Sequence, residues 1–195
     1  MLLTGIGLAA AAGLNAYIPL LIAGLLVHFE VIAVEAPYDL LGTTPALLII
    51  AVLLAVELLA DKIPAVDSVN DVVQTLMRPA SGAMLFAAAV GGNAQWVQAL
   101  ALIAGLVTAG AVHGAKSTAR PVVNVSTAGT GGPVVSVIED VTSVALTVAA
   151  IFLPILVLVL LIAMGWLFFR LHRRWRRRGT AGPVGSETLS VTSPR

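Results

Sequence analysis

Residues 134–178 read VVSVIEDVTSVALTVAAIFLPILVLVLLIAMGWLFFRLHRRWRRR. From Val134 to Leu171 the run is nearly unbroken hydrocarbon, about twice the roughly 20 apolar residues that one bilayer crossing takes. Pro154 stands near its middle, where a missing N–H and a ring clash break or kink a helix. The run therefore divides into two spans, 134–152 and 155–171, with a single bent helix as the competing reading. The basic block RLHRRWRRR at 170–178 favours the split. With two spans the block returns to the side of the other basic residues, and with one it does not.

Working back toward the N-terminus, Gln95–Ala115 is a clear span, and Lys116–Pro133 reads as a polar loop closed by Gly129, Gly131 and Gly132. Residues 79–92 are an apolar but short span. Before them, PAVDSVNDVVQTLMR at 64–78 sets Val66, Val69, Val73 and Leu76 on one helical face and Asp67, Asp71, Gln74 and Arg78 on another. It predicts an amphipathic helix that starts in a Ser68–Asp71 capping-box pattern and ends at Pro79. This segment lies in the membrane interface or lines a cavity as a re-entrant element. Residues 45–63 form another span, 28–44 an acidic connection, and 2–27 the first span, with Asn15 alone in its middle, marking a break or an interhelical hydrogen bond. That first run is too long for a signal-peptide core, and no Lys or Arg precedes Lys62.

The expected fold is all-α: one integral membrane domain over residues 1–178 with about six transmembrane helices, followed by a disordered cytoplasmic tail at 179–195. Composition agrees. Of the 195 residues 58% are hydrophobic and only 11% charged, at a mean hydropathy of +1.00. A soluble domain needs about a quarter of its residues charged to cover its surface. The 11 basic residues are Lys62, Arg78, Lys116, Arg120, the arginines of 170–178 and Arg195. With the N-terminus inside, all of them fall on one side, which the positive-inside rule makes cytoplasmic. Both termini are then expected in the cytoplasm, in a bacterial inner membrane. With no cysteine, disulfides and thiolate-bound metals are excluded.

Two helix–loop–helix units resemble each other. Lys62 and Arg78-Pro79 follow one span as Lys116 and Arg120-Pro121 follow another. Without gaps, residues 72–88 lie over 134–150, which sets Arg78 against Asp140. An internal duplication of this kind gives a pseudo-twofold axis along the membrane normal. Ionisable groups in or beside spans are functional candidates because lipid exposure is costly. Glu57 and Asp61 share a helix face beside Lys62, His113 lies one turn before Lys116, and Glu139 and Asp140 lie about one turn into their span. With Asp67, Asp71, Arg78, Arg120 and Asn124 they outline a charged vestibule open to the cytoplasm. The plain alternative is a network of ion pairs at the membrane boundary. Gly5, Ala9 and Gly13 form a small-residue packing stripe, as do Gly105 and Ala109.

The segments GLNAYIPLL (13–21), ELLADKIPAVDS (57–68), MRPASGA (77–83), HGAKSTARPVVN (113–124) and SVIEDV (136–141) resemble a family of bacterial integral membrane proteins catalogued as domain of unknown function 4126. The resemblance covers roughly residues 3–172 and implies a membrane protein of a few spans, with no activity or substrate.

Enzyme signatures are missing. TAGTGG at 127–132 lacks the Lys-Ser/Thr of a phosphate-binding loop, and neither H-E-x-x-H nor G-x-S-x-G occurs. Asp67 and Asp71 could hold Mg²⁺ as in enzymes of prenyl groups, but no second acidic motif accompanies them. The sequence therefore suggests no enzyme, no cofactor and no metal. It suggests a small transporter or channel first, a structural or accessory subunit of a membrane complex second, and a membrane-embedded enzyme acting on a lipid third. The expected partners are the lipid bilayer, an anionic lipid headgroup or small ion, and a second copy of the chain, with no nucleic acid.

Overall fold

The computed structural model describes residues 1–60, 64–92, 94–127, 131–154, 159 and 162–170; the side chains of 64–71 and 124 lie outside the description. Six α-helices form the main unit: α1 (Leu2–Leu14), α2 (Tyr17–His28), α3 (Thr44–Ala60), α4 (Pro64–Val90), α5 (Gln95–Ser126) and α6 (Gly131–Phe152). A 3₁₀ turn at Tyr38–Gly42 precedes α3. No strand occurs among the described residues. A second unit begins at Leu160; in it residues 162–170 are helical, and the Arg170 guanidinium lies 4.9 Å above the Trp166 ring one turn earlier.

The centre of the bundle is α1, whose Gly and Ala residues let α4, α5 and α6 close around it. Gly13 abuts the Ala109 carbonyl, where an added Cβ would come within 2.6 Å of the oxygen. Gly82 and Gly105 face each other across α4 and α5 with no room for a Cβ on either. The small-residue stripes read from sequence lie at these contacts.

Several expectations need correction. Residues 2–27 are not one span. Asn15 leaves the helix at φ −143°, ψ 124°, and its Oδ1 accepts the backbone N–H groups of Tyr17 and Ile18, both at 3.0 Å. Satisfying the first donors of a new helix lets the chain restart in another direction. It turns back: Met1, Thr4 and Leu8 of α1 line the same cavity as Ala23 and Val27 of α2. Residue 1 therefore lies at the end of the bundle that carries the 28–44 connection, not at the opposite end.

The amphipathic segment 64–78 and the span 79–92 are one helix, α4, which continues through Pro79. Proline withdraws a single ladder bond, the one to the Thr75 carbonyl, and the buried residues around it (Arg78, Ser81, Gly82) hold the helix across the gap. The helix starts at Pro64, where a missing N–H costs nothing, so Ser68 is interior and not a cap. The loop expected at 116–133 is helical as far as Ser126, with Pro121 tolerated in the same way. In consequence Arg120-Pro121 lies on the helix running away from the 28–44 end, and Arg78-Pro79 on one running toward it. The Lys-then-Arg-Pro correspondence therefore does not match in space. The gapless one pairs α4 with α6, which run the same way and both pack on α1.

Polarity is inverted relative to a protein in water. On α4, Val72 and Leu76 are 71% and 77% exposed while Gln74 and Arg78 are buried. Leu48, Val52, Val56 and Leu59 of α3, Ile103 and Val107 of α5, and Val137, Val141 and Val148 of α6 also face outward. Two helical stretches, Gln95–Val123 and Gly131–Phe152, are long and apolar enough to cross a membrane.

Candidate charged site at the helix break

Where α1 gives way to α2, the backbone leaves unsatisfied groups in the middle of the bundle, and side chains from α5 and α6 meet them. Ser143 donates to the Ala11 carbonyl at 3.0 Å, and Lys116 Nζ donates to the Leu14 carbonyl at 3.0 Å. A cation at the C-terminus of α1 also suits the negative end of its dipole. On the other side of the break, Asn15 Nδ2 donates to Asp140 Oδ1 at 2.9 Å. Asn15 thus spans three elements: it ends α1, caps α2 and binds α6.

Around this point the charges pair. Lys116 and Arg120 both reach Glu139 Oε2, at 2.7 and 3.1 Å. Arg78 Nη2 donates to Glu57 Oε1 at 3.0 Å, with both side chains 1% exposed. Arg78 Nη1 lies 3.1 Å from His113 Nδ1. A guanidinium only donates, so Nδ1 accepts, and the ring proton sits on Nε2, which donates to Thr75 Oγ1 at 3.2 Å. Gln74, one turn before Arg78, is also buried, and Gln74 Oε1 and Arg78 Nε have no hydrogen-bond partner among the described residues.

The sequence candidates thus divide into three groups. Glu57, Arg78 and His113 form one chain of contacts, and Lys116, Arg120, Glu139 and Asp140 gather at the break. Asp61 and Lys62 lie outside the described residues. Asp67, Asp71 and Asn124 lie on α4 and α5 with side chains outside the description. No group of three or more metal-binding side chains occurs among the described residues. Sequence reading left Asn15, Gln74, Thr75 and Ser143 out of the site. For Gln74 the signal was its spacing of four from Arg78 on the polar face of its helix.

At the other end of the bundle lies a cavity of about 540 Å³ in the mouth between α1 and α2. Its walls are aliphatic, including Leu8, Ala23, Val27, Leu41 and Leu85, and Glu35 stands among the lining residues. Glu35 Oε2 accepts the Gly92 N–H at 3.1 Å, Gln98 donates to the Gly92 carbonyl at 3.0 Å, and Tyr38 donates to Gln98 Oε1 at 2.9 Å. These bonds tie the 28–44 connection to the α4–α5 turn, where Gly91 and Gly92 adopt φ of +63° and +98°.

A helical bundle with aliphatic side chains outward and ion pairs inward, assembled around a broken central helix, defines the class. Within it, the chain belongs to the family described as domain of unknown function DUF4126, which matches residues 2–174. No curated protein and no solved structure matches the chain.

Proposed function

We propose that the chain is a multi-pass membrane protein that passes a small ion or anionic metabolite, a transporter or channel whose solute site is the charged cluster at the α1–α2 break. The carrying observation is a helix discontinuity met by Lys116, Glu139 and Asp140, with the buried Glu57–Arg78 pair in the same bundle, whose exterior is aliphatic. Helix breaks at membrane depth persist where protein buries them, and in transporters they mark the solute site. Asn15 and Ala16 are buried to within 1% of full burial. The polar atoms without partners on Gln74 and Arg78 favour a site that meets a solute over a closed scaffold, because closed networks satisfy their members.

In this reading α1 and α2 form a re-entrant hairpin from the outer face, and α3, α4, α5 and α6 are crossings. Arg120, near the end of α5 away from the 28–44 connection, lies toward the cytoplasm, as the positive-inside rule requires, and residue 1 lies outside. The proposal gives the cluster no catalytic role.

The test is flux in proteoliposomes carrying a trapped pH dye, challenged in turn with monovalent cations, chloride and phosphate. Glu57→Gln and Asp140→Asn preserve shape, so they are expected to insert and stay monodisperse while losing the flux that the unaltered chain shows. Full flux in both variants would remove the cluster from the path. The close pairing of the charges favours a second reading, a structural or accessory subunit, and the double-variant experiment below separates the two.

A further inference from the structure

We propose that the cavity between α1 and α2 binds a lipophilic monocation, with Glu35 as its counter-charge. Its volume, about 540 Å³, falls within the range of roughly 300–1,000 Å³ typical of small-molecule sites, which pair apolar walls with a few placed polar groups. The walls are Leu8, Ala23, Val27, Leu85 and their aliphatic neighbours, which suit an apolar body of a few rings or a folded chain. Among the described residues no aromatic ring lines the cavity, so a cation there depends on a carboxylate.

That carboxylate is Glu35, the only Asp or Glu side chain on the lining among the described residues. The bond from the Gly92 N–H to its Oε2 orients it at the rim. The side-chain charges of residues 1–44 have the same sign, set against the one Met1 amino group on the lining. Residues 28–44 carry Glu30, Glu35 and Asp39, and no Lys or Arg occurs before Lys62. An apolar cavity rimmed by one-signed charge concentrates ligands of the opposite sign. A neutral acyl chain would gain from the walls but nothing from the carboxylate, and a lipophilic anion would be repelled. The inference goes beyond the transport reading, since binding at this end needs no flux through the buried cluster.

The probes are tetraphenylphosphonium and tetraphenylborate, which share shape and differ in the sign of their charge. Equilibrium binding of each is measured on the full chain in detergent, for the unaltered protein, Glu35→Gln and Ala89→Trp. Glu35 is exposed, and Gln can still accept the Gly92 N–H, so the first variant should fold normally. Ala89 lines the cavity and is half-buried, so its Trp side chain has room to turn into the space. Saturable tetraphenylphosphonium binding is expected, weakened about tenfold or more by Glu35→Gln and abolished by Ala89→Trp, with tetraphenylborate unaffected by Glu35→Gln or bound better. A tenfold loss corresponds to about 1.4 kcal/mol of interaction with the carboxylate. Three results would each overturn the proposal: no saturable binding of the cation, binding of the cation unchanged in Glu35→Gln, or tetraphenylborate bound as tightly as tetraphenylphosphonium by the unaltered chain. The last would point to an acyl-chain site, or to the Met1 amino group, as what the cavity presents.

Discussion

Replacing Arg78 by Met removes a guanidinium from a position with 0% exposure and leaves Glu57, at 1%, without the donor 3.0 Å away. Removing one partner of a buried ion pair costs about 3–5 kcal/mol, because the remaining charge stays desolvated. Glu57→Leu should cost a similar amount by stranding Arg78. The double variant replaces both charges with apolar side chains, and its residual cost is the lost bond to His113 Nδ1, about 1–3 kcal/mol for a buried acceptor. Taking about 3 for each single variant and about 2 for the double gives a coupling of about 4 kcal/mol. The assay is reversible unfolding in mixed detergent, followed by the intrinsic fluorescence of Trp96, Trp166 and Trp175. If each single variant costs under about 1 kcal/mol, the pair behaves as a solvated one, and the burial reasoning fails. If the double variant recovers both stability and flux, the pair is scaffold and the subunit reading is correct.

Asn15→Ala should cost about 1–2 kcal/mol through the lost cap on α2, and Asn15→Asp should be less stable still at neutral pH, since it sets a second carboxylate against Asp140; unfolding in the same detergent mixture ranks the three. Gly105→Ala places a Cβ 2.6 Å from Phe86 Cβ and against the Gly82 carbonyl, so a loss of about 1–3 kcal/mol is expected from overpacking. Gly114, with nothing within 4 Å of an added Cβ, is the control, and Gly114→Ala should be neutral or slightly stabilising. Burial raises the Tyr38 phenol above its ordinary value of 10.0; its contribution to stability is full below pH 10 and declines as pH rises through the higher folded value, which a spectrophotometric titration of the folded and unfolded chain would show.

The all-helical fold was legible because long apolar runs carry the strongest signal a sequence has; of the expected spans, Gln95–Val123 and Gly131–Phe152 are helices of the length a bilayer takes. The positions of Glu57, Arg78, Lys116 and Asp140 were legible for the converse reason, that a charge among such runs is rare. The interruptions were misread. Pro79 read as a helix end and 116–133, with Pro121, as a loop, but each proline removes one hydrogen bond, and packing that no local pattern displays outweighs it. Asn15, alone in an apolar run, reads as a break or an interhelical hydrogen bond, and it is both: it ends α1 and binds Asp140. Hidden was that its side chain also takes two backbone N–H groups and reverses the chain. The inward direction of Gln74 and Arg78 was also hidden. Periodicity tells which residues share a face but not whether water or protein lies opposite, and only the neighbours of Gln74 and Arg78 settle that.

The reversal at Asn15 is open to direct measurement. The chain has no cysteine, so single substitutions at Leu2, Pro37 and Val125, all exposed positions, can be labelled one at a time with a membrane-impermeant maleimide in sealed vesicles of one orientation. Leu2→Cys and Pro37→Cys should react from the same face and Val125→Cys only from the other. Labelling of Leu2→Cys from the face of Val125→Cys would mean that residues 2–27 cross the membrane once, with no re-entrant break for the charged cluster to surround.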